Sequence, residues 1–191
     1  MSDDQDSAAL VSLIDREQAP LLARRFYGDG APSPITASLA QVPELLEVTL
    51  PFVGAALGPA SLDERAKEIA ILRTSALLEC RYCVQTHTAV ALDAGLSVDE
   101  VRALRGEGDL DAAFADARER VMIAWIEAVA LGRGPVAPEL QARAADALEE
   151  HTLVELTLAV GATLMLNRYC TALDLPVGAQ TLRRLAAEGF A

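Results

Sequence analysis

The sequence has little of what would bind nucleic acids or enter membranes. Its 16 Lys and Arg are outnumbered by 28 Asp and Glu, and the resulting net charge of −12 repels phosphate backbones and anionic lipid head groups. The uncharged apolar stretch at residues 156–167 is shorter than the roughly 20 residues that cross a bilayer. Residues 1–6 carry three Asp and no basic residue, unlike a signal peptide. We therefore expect a cytoplasmic protein with neither nucleic acid nor membrane as partner.

Cysteine and histidine are also scarce, with three Cys and two His. Cys80 and Cys83 form a Cys-x-x-Cys pair, which in a reducing compartment favours redox catalysis or metal binding over a structural disulfide. A tetrahedral zinc site needs four ligands, and besides His87 the only other histidine is His151, which follows two glutamates. We therefore expect no bound metal. The third cysteine, Cys170, is predicted to pack as a small buried hydrophobe.

The composition favours helices throughout. The chain is 52% hydrophobic, rich in Ala and Leu, and without a convincing period-2 strand pattern, which predicts an all-α fold. Three Ser/Thr-x-x-Glu signatures of capping boxes mark helix starts. Helices are predicted over residues 8–27, 43–57 and 111–131, after Pro138, and after the capping boxes at Ser61, Ser97 and Thr152.

Comparison of the chain with itself indicates an internal repeat. Residues 68–83 and 155–170 align without a gap, each beginning with Glu and ending in Arg-Tyr-Cys. Chance matches among common residues are the alternative. In the second copy Asn167 stands where Cys80 stands, so this copy is predicted to keep the scaffold and to lack the chemistry.

The repeat sets the expected domain organisation. We expect a single domain over residues 1–191, with a first repeat at about 43–105 that contains the active site and a second, degenerate repeat at about 111–185. The repeat further predicts that residues 155–170 form a helix followed by a break and superimpose on residues 68–83 about a local pseudo-twofold axis.

The spacing of four polar residues predicts a reactive dithiol site. At about 100° per residue, Cys80, Cys83 and His87 share one face of a helix. A thiol at a helix start is stabilised as thiolate, and a histidine one turn further on can exchange its proton. Glu68 would lie roughly 18 Å from Cys80 on an unbroken helix. We therefore expect the helix to break at residues 78–81, so that Glu68 can join the other three.

These four residues also carry a family resemblance. The order Glu68, eleven residues, Cys80, two residues, Cys83, three residues, His87 resembles the signature of the alkyl hydroperoxidase D family of the carboxymuconolactone decarboxylase superfamily. The similarity extends over residues 43–104 and more loosely to residue 176. The resemblance implies an all-helical fold, assembly into trimers or hexamers, and thiol-dependent reduction of peroxides.

The resemblance also implies a role for each residue. Cys83 would be the peroxidatic thiol, Cys80 the resolving thiol, His87 the proton relay, and Glu68 a carboxylate that orients the relay through water. The residue before the second cysteine, often His in the family, is Tyr82 here, which is a candidate supporting residue. No bound cofactor is expected; an external dithiol, of lipoyl or thioredoxin-like type, would reset the site.

Other functions fit the same residues. The dithiol would also serve a protein disulfide reductase or an electron carrier whose peroxidase activity is incidental. A catalytically silent oligomer that binds metal or senses oxidants is a further alternative. Lactone decarboxylation ranks lowest, because the decarboxylases of the superfamily lack this cysteine pair.

Overall fold

The computed structural model describes residues 9–190, which form ten α-helices and no β-strand. The all-α fold predicted from the sequence is thereby confirmed. None of the helices in this range has both the length and the apolar character needed to span a membrane. The helices are α1 (Pro34–Leu39), α2 (Pro43–Leu57), α3 (Glu64–Leu77), α4 (Arg81–Asp93), α5 (Val98–Leu104), α6 (Leu110–Ala113), α7 (Ala117–Leu131), α8 (Pro138–Ala147), α9 (Glu150–Ala172) and α10 (Ala179–Ala187).

Helix α3 lies at the centre of the fold and packs against α4, α7 and α9. Its residues Ile69, Ile71 and Leu72 are almost completely buried, because other helices surround it. Burial of each such side chain contributes about 1.5–3 kcal/mol before entropy costs, so α3 is held firmly in place. The core at this point comprises Ile69, Ala70 and Leu72 of α3, Met122 and Ile126 of α7, and Leu156 and Val160 of α9.

Two sequence signals placed their helices correctly. Pro43 opens α2, which ends at Leu57 as predicted, since proline suits a first helical turn, where its missing N–H is not needed. Ser97 and Glu100 form the predicted capping box at α5: the Ser97 side chain accepts from the Glu100 N–H, and the Glu100 carboxylate accepts from the Ser97 N–H.

The predicted helix at residues 8–27 is wrong; its first residue lies outside the described range. The Asp15 carboxylate accepts from the Gln18 N–H at 2.9 Å, and such an Asx turn competes with a helix. Pro20 then removes a backbone donor. Apart from one 3-10 turn at Arg24–Phe26, the described part of this segment has no helix.

The helix predicted at residues 111–131 is two helices. Helix α6 ends at Ala113, and Phe114 leaves the helical conformation with its side chain fully buried. Asp116 then caps α7 by accepting from the N–H groups of Arg118 and Glu119. Burial of the phenylalanine and the aspartate cap together override the continuous helical pattern of the sequence.

The second copy of the repeat does not contain the predicted break. Residues 155–170 lie within α9, which is continuous from Glu150 to Ala172. The first copy has Glu79 in the left-handed conformation, whereas its counterpart, Leu166, is buried within the helix. The repeat itself stays a prediction, but its two segments have different local structures.

The other two predicted capping boxes are absent. Helix α3 is capped by Asp63, which accepts from the Ala66 N–H at 2.8 Å. Helix α9 begins one turn earlier than the Thr152 signature indicated, with Glu149 at its N-cap position. Glu155, which belongs to the capping signature predicted at Thr152, has a different role.

Glu155 forms a buried ion pair with Lys67, the only lysine of the chain. The lysine side chain is 2% exposed; its ammonium lies 2.7 Å from the Glu155 carboxylate and also donates to the Ala56 carbonyl oxygen at 2.7 Å. The other carboxylate oxygen accepts from the N–H groups of Ser61 and Leu62. One ion pair thus joins α3, α9 and the end of α2.

Removing either charge of this pair should destabilise the protein. We expect Lys67→Met or Glu155→Gln to lower the free energy of unfolding by about 3–5 kcal/mol, because the remaining partner stays buried. The Lys67→Met/Glu155→Gln double variant should lose less than the two single losses combined. Urea denaturation of the variants measures this; Asp29→Asn, at an exposed position, is the control. Additive losses would contradict the coupling.

The same pair predicts a pH dependence. Burial raises the pKa of Glu155, but the Lys67 ammonium and the N–H groups of Leu62 and Ser61 outweigh it and hold that pKa below its usual value. This stabilisation is therefore present at neutral pH and is lost as the pH falls through the lowered pKa.

Candidate active site

The chain reverses between α3 and α4, as the sequence predicted. Leu78 caps α3, and Glu79 adopts the left-handed conformation with φ of 53°. The Cys80 N–H donates to the Ser75 carbonyl oxygen at 3.0 Å, and α4 begins at the next residue with Cys80 as its N-cap. The break therefore places the cysteine pair at the N-terminus of a new helix.

Cys80 and Cys83 lie in contact at this helix start. Their Sγ atoms are 2.9 Å apart, within hydrogen-bonding distance for two thiols. Both residues are buried, Cys80 with 1% and Cys83 with 5% of its surface exposed. The unpaired N–H groups and the dipole of a helix N-terminus favour a thiolate at this position.

A third sulfur completes the cluster. Cys170, near the end of α9, is 1% exposed and belongs to the same buried group as Cys80, Cys83 and Leu175. Sequence analysis assigned Cys170 only a packing role. The one sequence signal for its position was the alignment of Cys170 with Cys83 in the repeat, because equivalent residues near a pseudo-twofold axis lie close together.

Contacts among the three thiols shift their pKa values in opposite directions. Interactions with Cys170 and Cys83 lower the pKa of Cys80, despite its burial. The Cys170 contact lowers the pKa of Cys83, but the contact with Cys80, burial and the Cys80 charge outweigh it and raise that pKa. The contacts with Cys80 and Cys83, with burial, raise the pKa of Cys170. The pKa that is lowered is therefore that of Cys80, not that of Cys83, to which the resemblance assigned the reactive thiol.

Tyr82 packs against this cluster. Burial raises the pKa of its phenol, and the charges of Cys170 and Cys83 raise it further. The hydroxyl is therefore protonated across the physiological range. This position is consistent with the supporting role considered for Tyr82 from sequence.

Glu68 and His87 form the second part of the site. Glu68 lies on α3 and His87 on α4, one turn after Cys83, and the Glu68 Oε2 to His87 Nδ1 distance is 2.9 Å. The resemblance implied a water between the two groups, but they are in direct contact. Because a carboxylate only accepts, Nδ1 donates to it, which leaves Nε2 free to exchange a proton. The imidazole is 24% exposed and the carboxylate side chain 9%.

Two clefts reach the two parts of the site. A cleft of about 270 Å³ is lined by Glu68, Val90 and Pro59 among others. A smaller cleft of about 70 Å³ lies between the start of α4 and the end of α9 and is lined by Tyr82 and Cys170 among others. Across residues 9–190, no group of three or more His, Cys, Asp or Glu side chains is placed to hold a metal ion.

Comparison with known protein families finds one match, which covers part of the chain. Residues 43–128 match the Carboxymuconolactone decarboxylase family. No curated protein sequence matches the chain significantly.

Several solved structures share the fold. One is an uncharacterized peroxidase-related protein from Ralstonia eutropha JMP134, described as an alkylhydroperoxidase AhpD core (TM-score 0.74, 17% identity, 90% of this chain and 96% of that chain). Another is an uncharacterized peroxidase-related protein from Silicibacter sp. TM1040 (TM-score 0.67, 17% identity, 76% and 78%). A third is the debrominase Bmp8 (TM-score 0.71, 20% identity, 93% and 96%). A cysteine-to-alanine variant of that debrominase in complex with 2,3,4-tribromopyrrole is also similar (TM-score 0.69, 19% identity, 95% and 98%).

The fold and the match over residues 43–128 show what the chain resembles. These residues match the carboxymuconolactone decarboxylase family, and the chain has the alkyl hydroperoxidase D-like fold. Both findings support the resemblance predicted from the motif that runs from Glu68 to His87.

The Glu68 contact predicts the tautomer of His87. In the neutral imidazole the proton should reside on Nδ1, and Glu68→Ala should shift it towards Nε2 because the acceptor is lost. Nitrogen-15 NMR of the imidazoles measures the tautomer. His151 is the internal control, since its Nε2 contacts Glu149 at an exposed site and should not respond. A His87 that carries its proton on Nε2 in the wild-type protein would contradict the geometry.

Proposed function

We propose that the protein is a thiol-dependent peroxidase that works by a dithiol/disulfide cycle. The observation that carries the proposal is the buried Cys80–Cys83 contact at the start of α4. The adjacent Glu68–His87 hydrogen bond supports it. A stabilised thiolate supplies the nucleophile, and an oriented imidazole supplies and removes protons.

The proposed cycle has three steps. A thiolate attacks the peroxide O–O bond, becomes a sulfenic acid and releases an alcohol or water, whose oxygen takes one proton. The second thiol condenses with the sulfenic acid, so that a disulfide forms and water leaves. An external dithiol then reduces the disulfide and is itself oxidised to its disulfide. His87, held by Glu68, is proposed to donate the proton in the first step.

The exposure of the two cysteines and their distance along α4 from His87 decide which of them is proposed to attack the peroxide. Cys83 is the more exposed of the pair and lies one turn before His87; we therefore propose Cys83 as the attacking sulfur and Cys80 as the resolving one. The lowered pKa of Cys80 favours the reverse order. The 2.9 Å contact offers a path by which Cys83 transfers its proton to Cys80 and takes the charge.

Reductive dehalogenation is a second candidate. The debrominase Bmp8 shares the fold over 93% of this chain, and the same dithiol can perform the reaction. A thiolate would take the halogen from an aryl halide as a sulfenyl halide while the aryl carbon gains a proton. The second thiol would then displace halide and form the disulfide. 2,3,4-Tribromopyrrole and peroxide, each tested with the reduced protein, separate the two activities by rate.

A disulfide reductase or electron carrier uses the same pair but needs no fast reaction with peroxide. A panel of dithiols, including dihydrolipoamide and a thioredoxin, tests both the reductant and this alternative. Fast reduction by a dithiol combined with slow peroxide consumption would favour the electron carrier.

Single-cysteine variants distinguish the two thiols. We make them in a Cys170→Ser background, so that the third sulfur cannot condense. Cys83→Ser should abolish both peroxide consumption and dimedone labelling. Cys80→Ser should consume one equivalent of peroxide and then stop, with dimedone labelling on Cys83, because the sulfenic acid has no resolving partner. Mass spectrometry locates the adduct.

Cys170→Ser alone is the matched control and should still form the Cys80–Cys83 disulfide. An adduct on Cys80 in the Cys83→Ser protein, with none on Cys83 in the reverse variant, would show that the roles are inverted. If neither variant reacts and the wild-type protein holds a stoichiometric metal, the peroxidase proposal is wrong and the metal-binding alternative holds.

The proposed enzyme is a homo-oligomer, a trimer or hexamer by family analogy. Exposed apolar residues on α2 support an assembly, because Leu45, Val48 and Phe52 are spaced at helical intervals and are 55%, 64% and 43% exposed. Helix α9, which packs on α2, exposes Val154 and Leu158 as well. Such surfaces are costly in water and favour burial in an interface.

Light scattering tests the assembly. The wild-type protein should have a mass several times 20.2 kDa at micromolar concentration, and Val48→Glu should lower this mass by placing a charge in the interface. Leu21→Glu, an exposed apolar position outside the two helices, is the control and should leave the mass unchanged. A wild-type monomer would contradict the proposal.

A further inference from the structure

The proposed cycle leaves Cys170 without a role, although its sulfur is part of the site. Cys170 comes from α9, opposite the helix start that carries the other two cysteines, and shares their buried cluster. All three residues pack in this one cluster, and Cys170 perturbs the pKa of both Cys80 and Cys83. Thiols packed together in one buried cluster can undergo thiol–disulfide exchange after a small movement of the side chains.

The small cleft gives Cys170 a second distinguishing feature. This cleft, of about 70 Å³, is lined by Cys170, Tyr82, Arg81, Glu79 and Thr171 among others. Among the described residues that line it, Cys170 is the one cysteine. Cys170 is 1% exposed, so an external thiol that approaches through this cleft reaches it, before the Cys80–Cys83 pair, once the side chains that cover its sulfur move aside.

We propose that Cys170 is a third redox-active thiol that exchanges with the Cys80–Cys83 disulfide and presents the disulfide to the external dithiol at the small cleft. The proposal rests on the proposed function for its physiological meaning. The exchange itself requires only that the cysteine pair can be oxidised.

The exchange balances without a further reactant. The Cys170 thiol loses its proton and attacks the Cys80 sulfur of the Cys80–Cys83 disulfide; a Cys80–Cys170 bond forms, the Cys80–Cys83 bond breaks, and Cys83 leaves as a thiolate that takes the proton. No electrons enter or leave the protein. The external dithiol then attacks Cys170, forms a mixed disulfide with it and releases Cys80. The second thiol of the reductant displaces Cys170, so that the reductant leaves as its own disulfide and all three cysteines are reduced.

The electrostatics support this order of events. In the reduced protein the contacts with Cys80 and Cys83 raise the pKa of Cys170, so Cys170 is a neutral thiol and does not compete for peroxide. Oxidation converts Cys80 and Cys83 into an uncharged disulfide. The contacts that held the proton on Cys170 are then lost, and its thiolate becomes accessible only after the first reaction is complete.

Disulfide mapping tests the exchange. Reduced Cys80→Ser and Cys83→Ser proteins, each with two cysteines left, are treated with diamide, which oxidises dithiols without any peroxidase activity. They are then alkylated in acid and digested. Both should contain a disulfide to Cys170. Two free thiols in both variants would overturn the proposal. Because diamide replaces peroxide, a failure of this experiment leaves the peroxidase proposal intact. Likewise, a failure of the peroxide assays leaves the proposed exchange intact.

Stopped-flow reduction tests the relay. In Cys170→Ser, reduction of the preformed Cys80–Cys83 disulfide by dihydrolipoamide should slow by about tenfold or more, because the reductant loses its entry sulfur. One equivalent of diamide should still convert the pair completely into the Cys80–Cys83 disulfide, so the starting state of the reduction is the same as in the wild-type protein. Cys170→Ala provides a second variant without a polar atom. Reduction at the wild-type rate in either folded variant, checked by circular dichroism, would overturn the relay.

Discussion

Only three residues, Leu78 to Cys80, separate α3 from α4, and the whole site depends on the reversal that they make. If the helix continued, Glu68 and His87 would lie more than 25 Å apart, at about 1.5 Å per residue; the reversal brings their side chains to 2.9 Å. It also converts Cys80 and Cys83 from mid-helix residues into residues of a helix start. The left-handed backbone at Glu79 is unfavourable for a residue with a side chain, so the packing of α3 must compensate for it.

That packing explains why the two halves of the chain meet at the sulfurs. Helix α3 is enclosed by α4, α7 and α9, and the Lys67–Glu155 ion pair joins α3 to α9 near the start of the latter. At its other end α9 carries Asn167, which donates to Ser75 at 3.0 Å, and then Cys170. Helix α9 therefore contributes a buried thiol to the site as well as scaffold.

The sequence predicted what local patterns can encode. The all-α class, the bounds of α2 and the break before Cys80 follow from composition, from Pro43 and from helical geometry, and all three were correct. The failures concern distant partners. Glu155 has a local capping signature, yet it binds groups 93 and 94 residues away. A local signature cannot show that a side chain is engaged by another helix, and the same reason hid the position of Cys170.

The stabilised charge has a consequence for the redox balance of the cysteine pair. A hydrogen-bonded thiolate lowers the free energy of the reduced state, whereas the disulfide gains nothing from the same donors. A Cys80–Cys83 disulfide would therefore be easier to reduce than one formed by ordinary thiols, as in oxidoreductases whose reduced form is stabilised. A structural disulfide requires the opposite. The arrangement of Cys80, Cys83 and Cys170 thus fits the proposed cycle, in which the disulfide must be reduced after every turnover, better than a permanent crosslink.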